Sequence, residues 1–177
     1  MSEIFGFVGT IGSGKTTIAK LLSNMYTFPY ISTGDFLREE VSRAGLNSNS
    51  RLEIQEFFEK NYSSNIEKLC QSLFAHITSD TFVLDSFRGK NSYFALKNYF
   101  PNAKVHIIFC DVDNETSKRR QAQRGDGRVY SNDEKLKLID FNDLDFFREN
   151  AAIILDTTLE LAQSEQALNT WSEKRGV

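Results

Sequence analysis

Eight consecutive residues, Gly9-Thr10-Ile11-Gly12-Ser13-Gly14-Lys15-Thr16, carry a spacing suited to phosphate, with four free positions between the first glycine and a Gly-Lys-Thr end. Glycines at such positions let backbone N–H groups turn inward on an anion with no Cβ in the way. A helix beginning near Lys15 aims its positive end at the same point. Lys15 adds a mobile cation for the outer phosphates, and the Thr16 hydroxyl suits a Mg2+ ion. The flanks agree: Ile4-Phe5-Gly6-Phe7-Val8 predicts a short buried strand leading in, and Ile18, Leu21, Leu22 and Met25 recur at helical spacing leading out. The stretch is therefore expected to bind a nucleoside triphosphate or a close analogue of one.

Three further groups of residues could act with it. Thr81-Phe82-Val83-Leu84-Asp85 is an apolar run closing on an acid, which beside a phosphate loop helps to place Mg2+. Lys118, Arg119, Arg120, Arg124 and Arg128 crowd one stretch, with Gly125-Asp126-Gly127 breaking the helix between them. A bare basic run reads as a solvated helix face. Here it follows a proposed strand on the sheet side facing the phosphate loop, and forked guanidiniums suit the equatorial charge of phosphoryl transfer. Thr33, Asp35, Arg38 and Arg88 make up the third group. Arg38 sits one turn into a helix and Arg88 just past Asp85, so together they mark a second anion site on the opposite side of the crevice.

The elements that must position these groups follow from periodicity. Phe28-Pro29-Tyr30-Ile31 reads as a second strand, and Ser32 with Asp35 has capping-box spacing for a helix that stops near Gly45. Leu52 to Lys60 and Ile66 to Ile77 carry helical apolar spacing, so residues 35–79 read as a helical insertion. Thr81 to Asp85 is the third strand, Tyr93 to Phe100 a crossover helix, Ala103 to Cys110 a fourth strand and Asn114 to Arg124 a helix. Glu134 starts another helical stretch toward Asn150, Ala151 to Leu155 is the fifth strand, and a last helix contains Leu159, Leu161, Ala162, Ala167, Leu168 and Trp171. Strands alternating with helices imply an α/β fold with a parallel sheet and right-handed crossovers, its ligands beyond the carboxyl ends of the strands.

Composition bounds the rest. The chain has 177 residues, 40% hydrophobic and 25% charged, with a net charge of −3, ordinary for one soluble globular domain and adverse to a general nucleic-acid binder. No apolar run approaches the length of a membrane span and the N-terminus lacks a secretory pattern, so no membrane partner is expected. Cys70 and Cys110 read as buried free thiols, consistent with a reducing cytoplasm. His76 and His106 lack metal-like spacing and read as packing or surface residues.

With these motifs assembled, the chain resembles the nucleoside monophosphate kinases, adenylate kinase in particular. Gly9 to Thr17 is similar to that family's first loop, and Ile31-Ser32-Thr33-Gly34-Asp35-Phe36-Leu37-Arg38 to its monophosphate-binding motif. Asn114-Glu115-Thr116, Arg120, Arg124-Gly125, Gly127-Arg128-Val129 and Asn132 resemble its lid in the short form. The resemblance implies a P-loop kinase fold in a single domain over 1–177, with a core at 1–31, 80–124 and 134–177, a helical insertion at 32–79 and a lid at 125–133. It implies ATP and Mg2+ as cofactors and a nucleoside monophosphate, AMP-like by preference, as acceptor, in a monomer or weak homodimer. On it, Gly9, Gly12, Ser13, Gly14, Lys15, Thr16 and Thr17 bind ATP, with Arg120 on the donor side and Thr16 with Asp85 at the metal. Thr33, Asp35, Arg38 and Arg88 hold the acceptor, and Arg124 and Arg128 close over the transferring group beside Lys15 and Arg88.

Three departures accompany the likeness. The family's Gly-Tyr-Pro-Arg segment is here Asp85-Ser86-Phe87-Arg88, nearer the Asp-Gly-Ile-Arg form of adenylate kinase-related proteins. The glutamine that reads adenine is missing from Gly89-Lys90-Asn91-Ser92, and so is the arginine expected late in the lid, whose window Lys137-Leu138-Ile139 offers only Lys137. A kinase of dephospho-coenzyme A or another small molecule, and a nucleotide sensor with weak ATPase activity, therefore stand beside the monophosphate kinase.

Overall fold

The computed structural model describes residues 2–75, 77–123 and 143–174. Its centre is β1 (Glu3–Gly9), whose residues Ile4 to Val8 are all buried. It lies inside a five-stranded parallel sheet with β2 (Tyr30–Ser32), β3 (Phe82–Asp85), β4 (Lys104–Asp111) and β5 (Ile153–Asp156), in the order β2-β3-β1-β4-β5. Continuous apolar strands are what a sheet covered on both faces demands. The expected α/β architecture is thus observed.

Among the described residues the helices are α1 (Lys15–Tyr26), α2 (Thr33–Arg43), α3 (Arg51–Asn61), α4 (Ile66–Phe74), α5 (Lys90–Tyr99), α6 (Asn114–Gln123), α7 (Leu144–Glu149) and α8 (Leu161–Glu173). Alternate residues of β1 serve opposite layers. Phe5 and Phe7 pack with Ile18 and Leu22 of α1, Leu168 of α8 and the half-buried Trp171, while Ile4 and Val8 pack with Phe74, Leu96 and Phe147 of α4, α5 and α7. Burying each of Phe5 and Phe7 completely contributes about 2–3 kcal/mol. His106 is also buried, stacked 5.2 Å from Phe5 and edge-on to Trp171, a packing residue as expected. His76 lies outside the described residues.

A third, smaller core joins Leu37 of α2, Phe58 and Tyr62 at the end of α3, and Leu69 of α4. Next to Leu69 on α4, Cys70, and just over one turn further on Phe74, enter the main core. The helical insertion is therefore bound to the sheet through α4.

Several boundaries differ from the sequence reading. α5 begins at Lys90, three residues before the expected Tyr93: from outside the helix Asp143 Oδ2 accepts from Lys90 N–H at 2.8 Å, and within its first turn the Ser92 hydroxyl donates back to the Gly89 carbonyl at 2.7 Å. The helical stretch expected from Glu134 toward Asn150 is described only from Asp143 onward. Asp143 has a left-handed backbone with φ 50°, and α7 starts only after it; residues 124–142 lie outside the described part. Leu159 is outside α8, which opens with a capping box between Glu160 and Gln163, and Leu159 and Leu161 are exposed rather than core. α4 ends at Phe74, short of Ile77.

The thiols of Cys70 and Cys110 are buried and unpaired with each other. Burial pushes each up to about 12, with Glu67 adding to the effect at Cys70, while at Cys110 Lys15 opposes it. Neither thiol should react with Ellman's reagent in the native protein at about pH 8, where an ordinary cysteine would. Both should titrate after denaturation. Rapid labelling of the native chain would contradict this burial.

Candidate functional site

The carboxyl ends of β1, β3 and β2 stand side by side, since Phe7 pairs with Asp85 and Asp85 with Ser32. The phosphate-loop residues, the Asp85 carboxylate and the start of α2 therefore meet at one edge. Gly9 closes β1 opposite Cys110. Gly14 caps α1, accepting from Thr17 N–H at 2.9 Å and Ile18 N–H at 3.1 Å. Lys15 and Thr16 occupy the first turn of α1, half-buried, while Thr17 is exposed.

The loop is held from above by α6. Gly12 has φ +81°, and a Cβ there would come 2.8 Å from the Ser117 carbonyl, so only glycine fits. The Ser117 hydroxyl donates to the Ile11 carbonyl at 2.7 Å, and Gln121 Nε2 donates to Ser117 Oγ at 2.9 Å. Arg120, expected on the donor side, lies over the loop. Its guanidinium donates to the Gly12 carbonyl at 3.4 Å and to the Thr157 carbonyl at 2.7 Å, so it also ties the loop to the β5–α8 connection. Lys118 and Arg119 are exposed, as a solvated basic face would be. Arg124 and Arg128 lie outside the described residues.

Asp85 is the centre of the polar arrangement. It is 4% exposed, and its Oδ2 accepts from Thr16 Oγ1 at 2.7 Å and from the Tyr30 hydroxyl at 2.7 Å. Burial and the adjacent Asp85 carboxylate push the Tyr30 phenol well above its ordinary value, so it stays a donor. Asp85 Oδ1 and Ser13 Oγ are buried and make no hydrogen bond. Orphaned buried oxygens are rare and call for a ligand or another explanation. Oxygen donors of this kind suit Mg2+, which takes one or two carboxylates and leaves its other positions to phosphate and water. Thr16 and Asp85 thus fit that ion.

On the other flank, Thr33 is buried and its hydroxyl donates to the Ser86 carbonyl at 2.7 Å. Ser32 caps α2 by accepting from Asp35 N–H at 3.1 Å, as the capping-box spacing predicted. Arg38 is half-exposed and ion-paired with Asp35, whereas Glu39 faces Arg43. That pairing, with the Ser32 hydroxyl, holds the Asp35 carboxyl below its usual range, although burial opposes it. Arg88 reaches the insertion, its guanidinium 5.5 Å from the centre of the Phe58 ring. Its own N–H donates to Ser92 Oγ at 2.9 Å. A small cavity beside it is lined by Thr33, Leu69, Cys70, Leu73, Phe74 and Ser92, among others.

The segment 85–88 departs from the sequence pattern in a way the backbone explains. Ser86 has φ 84°, a conformation glycine adopts freely and serine does not. Phe87 fills the space above Gly6, where a Cβ would lie 2.3 Å from its ring, and stacks on Phe147 at 5.1 Å. Ser86→Gly should therefore relieve backbone strain and raise stability by about 1 kcal/mol, or roughly 2–4 °C in Tm. A lower melting temperature for that variant would show that the serine side chain is needed there.

Residues missed from the sequence are Tyr30, Ser117, Gln121 and Phe58. Tyr30 read as a strand residue and Phe58 fell within a helical stretch; nothing local marks their contacts with Asp85 and Arg88.

The AAA domain family matches residues 8–137. The chain is 36% identical over 124 residues to an adenylate kinase of Borrelia garinii subsp. bavariensis, covering 67% of this chain and 56% of that protein. It is 29% identical over 132 residues to UMP-CMP kinase 3 of Oryza sativa subsp. japonica, covering 73% and 62%. Adenylate kinase isoenzyme 1 of Sus scrofa is 30% identical over 143 residues, covering 77% and 72%. The chain spans less than two thirds of the first two of these relatives. Among solved structures, shikimate kinase from Acinetobacter baumannii in complex with shikimate aligns with a TM-score of 0.63 at 13% identity, over 98% of this chain and 93% of that one. Shikimate kinase from Bacteroides thetaiotaomicron aligns at 0.61 and 16% identity, over 99% of each. At such identities these two bear on the fold alone.

Proposed function

The chain belongs to the AAA-domain proteins, in the adenylate kinase-like nucleoside monophosphate kinase family, and from that premise we propose that it transfers the γ-phosphoryl group of ATP to a nucleoside monophosphate. One observation carries the reading. Thr16 bonds to Asp85 and Thr33 bonds to Ser86, so consecutive residues join the phosphate loop to the acceptor motif. Two ligands held at these places would meet end to end.

In this reading the loop from Gly9 to Thr17 cradles the triphosphate, Lys15 reaches its outer oxygens and Arg120 flanks the donor. Thr16 and Asp85 hold Mg2+, which when bound neutralises charge on the phosphate oxygens. Arg88 and Arg38 grip the acceptor phosphate, with Thr33 and Asp35 beside it. An acceptor phosphate oxygen forms a bond to the γ-phosphorus as the bond to the β–γ bridging oxygen breaks, leaving ADP and a nucleoside diphosphate. Positioning and charge stabilisation supply the catalysis. By the family resemblance, Arg124 and Arg128 close over the transferring group. A single domain with an insertion over 32–79 and a lid over 125–133 serves this chemistry.

Transfer to a smaller, non-nucleotide acceptor is the second reading, favoured by the lack of an adenine-reading glutamine in Gly89-Lys90-Asn91-Ser92. The small cavity beside Arg88 does not add to it: its lining is mainly apolar, and the Thr33 and Ser92 hydroxyls already donate to the Ser86 and Gly89 carbonyls. A coupled ADP-release assay across AMP, CMP, UMP, GMP, their deoxy forms, dephospho-coenzyme A and shikimate separates the two. Diphosphate product from at least one monophosphate is the expected result. Turnover with only a non-nucleotide acceptor would establish the second reading, and mere slow ATP hydrolysis would defeat both.

A further inference from the structure

We propose that Tyr30 is a positioning residue for the cation site, fixing the plane of the Asp85 carboxylate so that one oxygen is held toward the metal. This rests on the reading of the loop as an ATP·Mg2+ site and does not depend on the acceptor. Tyr30 stands on β2 opposite Val83, two residues short of Asp85, yet its hydroxyl reaches forward to Asp85 Oδ2 at 2.7 Å. Thr16 Oγ1 donates to the same oxygen, also at 2.7 Å. Both donors converge on Oδ2, and Oδ1 is left buried without a hydrogen bond. Rotating the carboxylate out of this plane would weaken both bonds at once, so its free oxygen has a fixed place.

The two donors are not equivalent. Thr16 is itself a candidate ligand, and its single hydroxyl must serve the metal through its lone pair and Asp85 through its proton. Tyr30 has no such double duty. Its ring is half-buried against the core layer that includes Val83, its partner on β3, and the Lys20 ammonium lies 5.5 Å from its centre. The phenol is thus anchored independently of the loop, on the strand that leads directly into Ser32 and Thr33. A hydrogen bond serving packing alone would not leave the second oxygen of a buried carboxylate unsatisfied.

The test is Mn2+ binding to the full chain with a saturating non-hydrolysable ATP analogue, followed by electron paramagnetic resonance, for wild type and Tyr30→Phe. Losing one hydrogen bond to a charged group should weaken Mn2+ about tenfold, with metal-free analogue affinity within about twofold. In an Asp85→Asn background the same substitution should change Mn2+ affinity less than about twofold, because Tyr30 acts through that carboxylate. If Tyr30→Phe does not fold, Tyr30→Leu gives the same comparison. Unchanged Mn2+ affinity in a folded variant, or an equal loss in the Asp85→Asn background, overturns the proposal. Failure of wild type to bind the analogue at all would overturn the ATP reading instead.

Discussion

Lys15→Ala is expected to lower kcat by about a thousandfold while the melting temperature moves by no more than a few degrees. In the proposed reaction the ammonium is the mobile cation for charge that develops on the outer phosphates, where a fixed backbone amide would not replace it. The fold has little at stake. Lys15 is the first residue of α1, where alanine is a good helix former, and the loop backbone is fixed from outside by Ser117, Gln121 and Arg120. Steady-state turnover beside a thermal melt checks this. A variant with near-full rate would remove the loop from the chemistry, and a collapse in stability would show that Lys15 holds structure instead.

Arg88→Ala is expected to lower kcat/KM for the acceptor about a thousandfold with ATP binding within about twofold, and Arg88→Lys should recover no more than about tenfold. The segment that carries Arg88 is restrained around it: Phe87 is wedged over Gly6 and stacked on Phe147, and Arg88 N–H is held by Ser92. Truncating the side chain leaves those restraints and removes the contact with Phe58, worth about 1 kcal/mol. The result should therefore be a defect of the acceptor side. Acceptor titrations at fixed ATP, with calorimetry of ATP alone, separate the two. Loss of ATP affinity in Arg88→Ala would place that arginine on the donor side.

Legibility in the sequence followed distance along the chain. The phosphate loop is a contiguous motif between a strand and a helix, and its geometry needs only local chemistry. Ser32 capping α2 through Asp35 is likewise local. The sheet was readable because its strands are nearly uniform apolar runs. Contacts made across the sheet were not. Tyr30 meets Asp85 only because β2 and β3 are neighbours, and Gln121 meets Ile11 only because α6 folds over the loop. Asp143 shows the same limit: its left-handed backbone accompanies a cap on α5 by its carboxylate, far along the chain. Leu159 and Leu161 have core-like chemistry but lie outside it, because the Glu160–Gln163 box sets where α8 begins.

The central claim is that two phosphate-bearing ligands are held facing each other, one on the loop at Lys15 and one at Arg38 and Arg88. Calorimetry with a bisubstrate compound, adenosine joined through a polyphosphate bridge to a second nucleoside, tests it most directly. One molecule per chain should bind at least about a hundredfold more tightly than ATP, and that gain should vanish in Arg88→Ala. An affinity equal to that of ATP in the unaltered protein would contradict the claim and leave a nucleotide pocket with no acceptor site beside it.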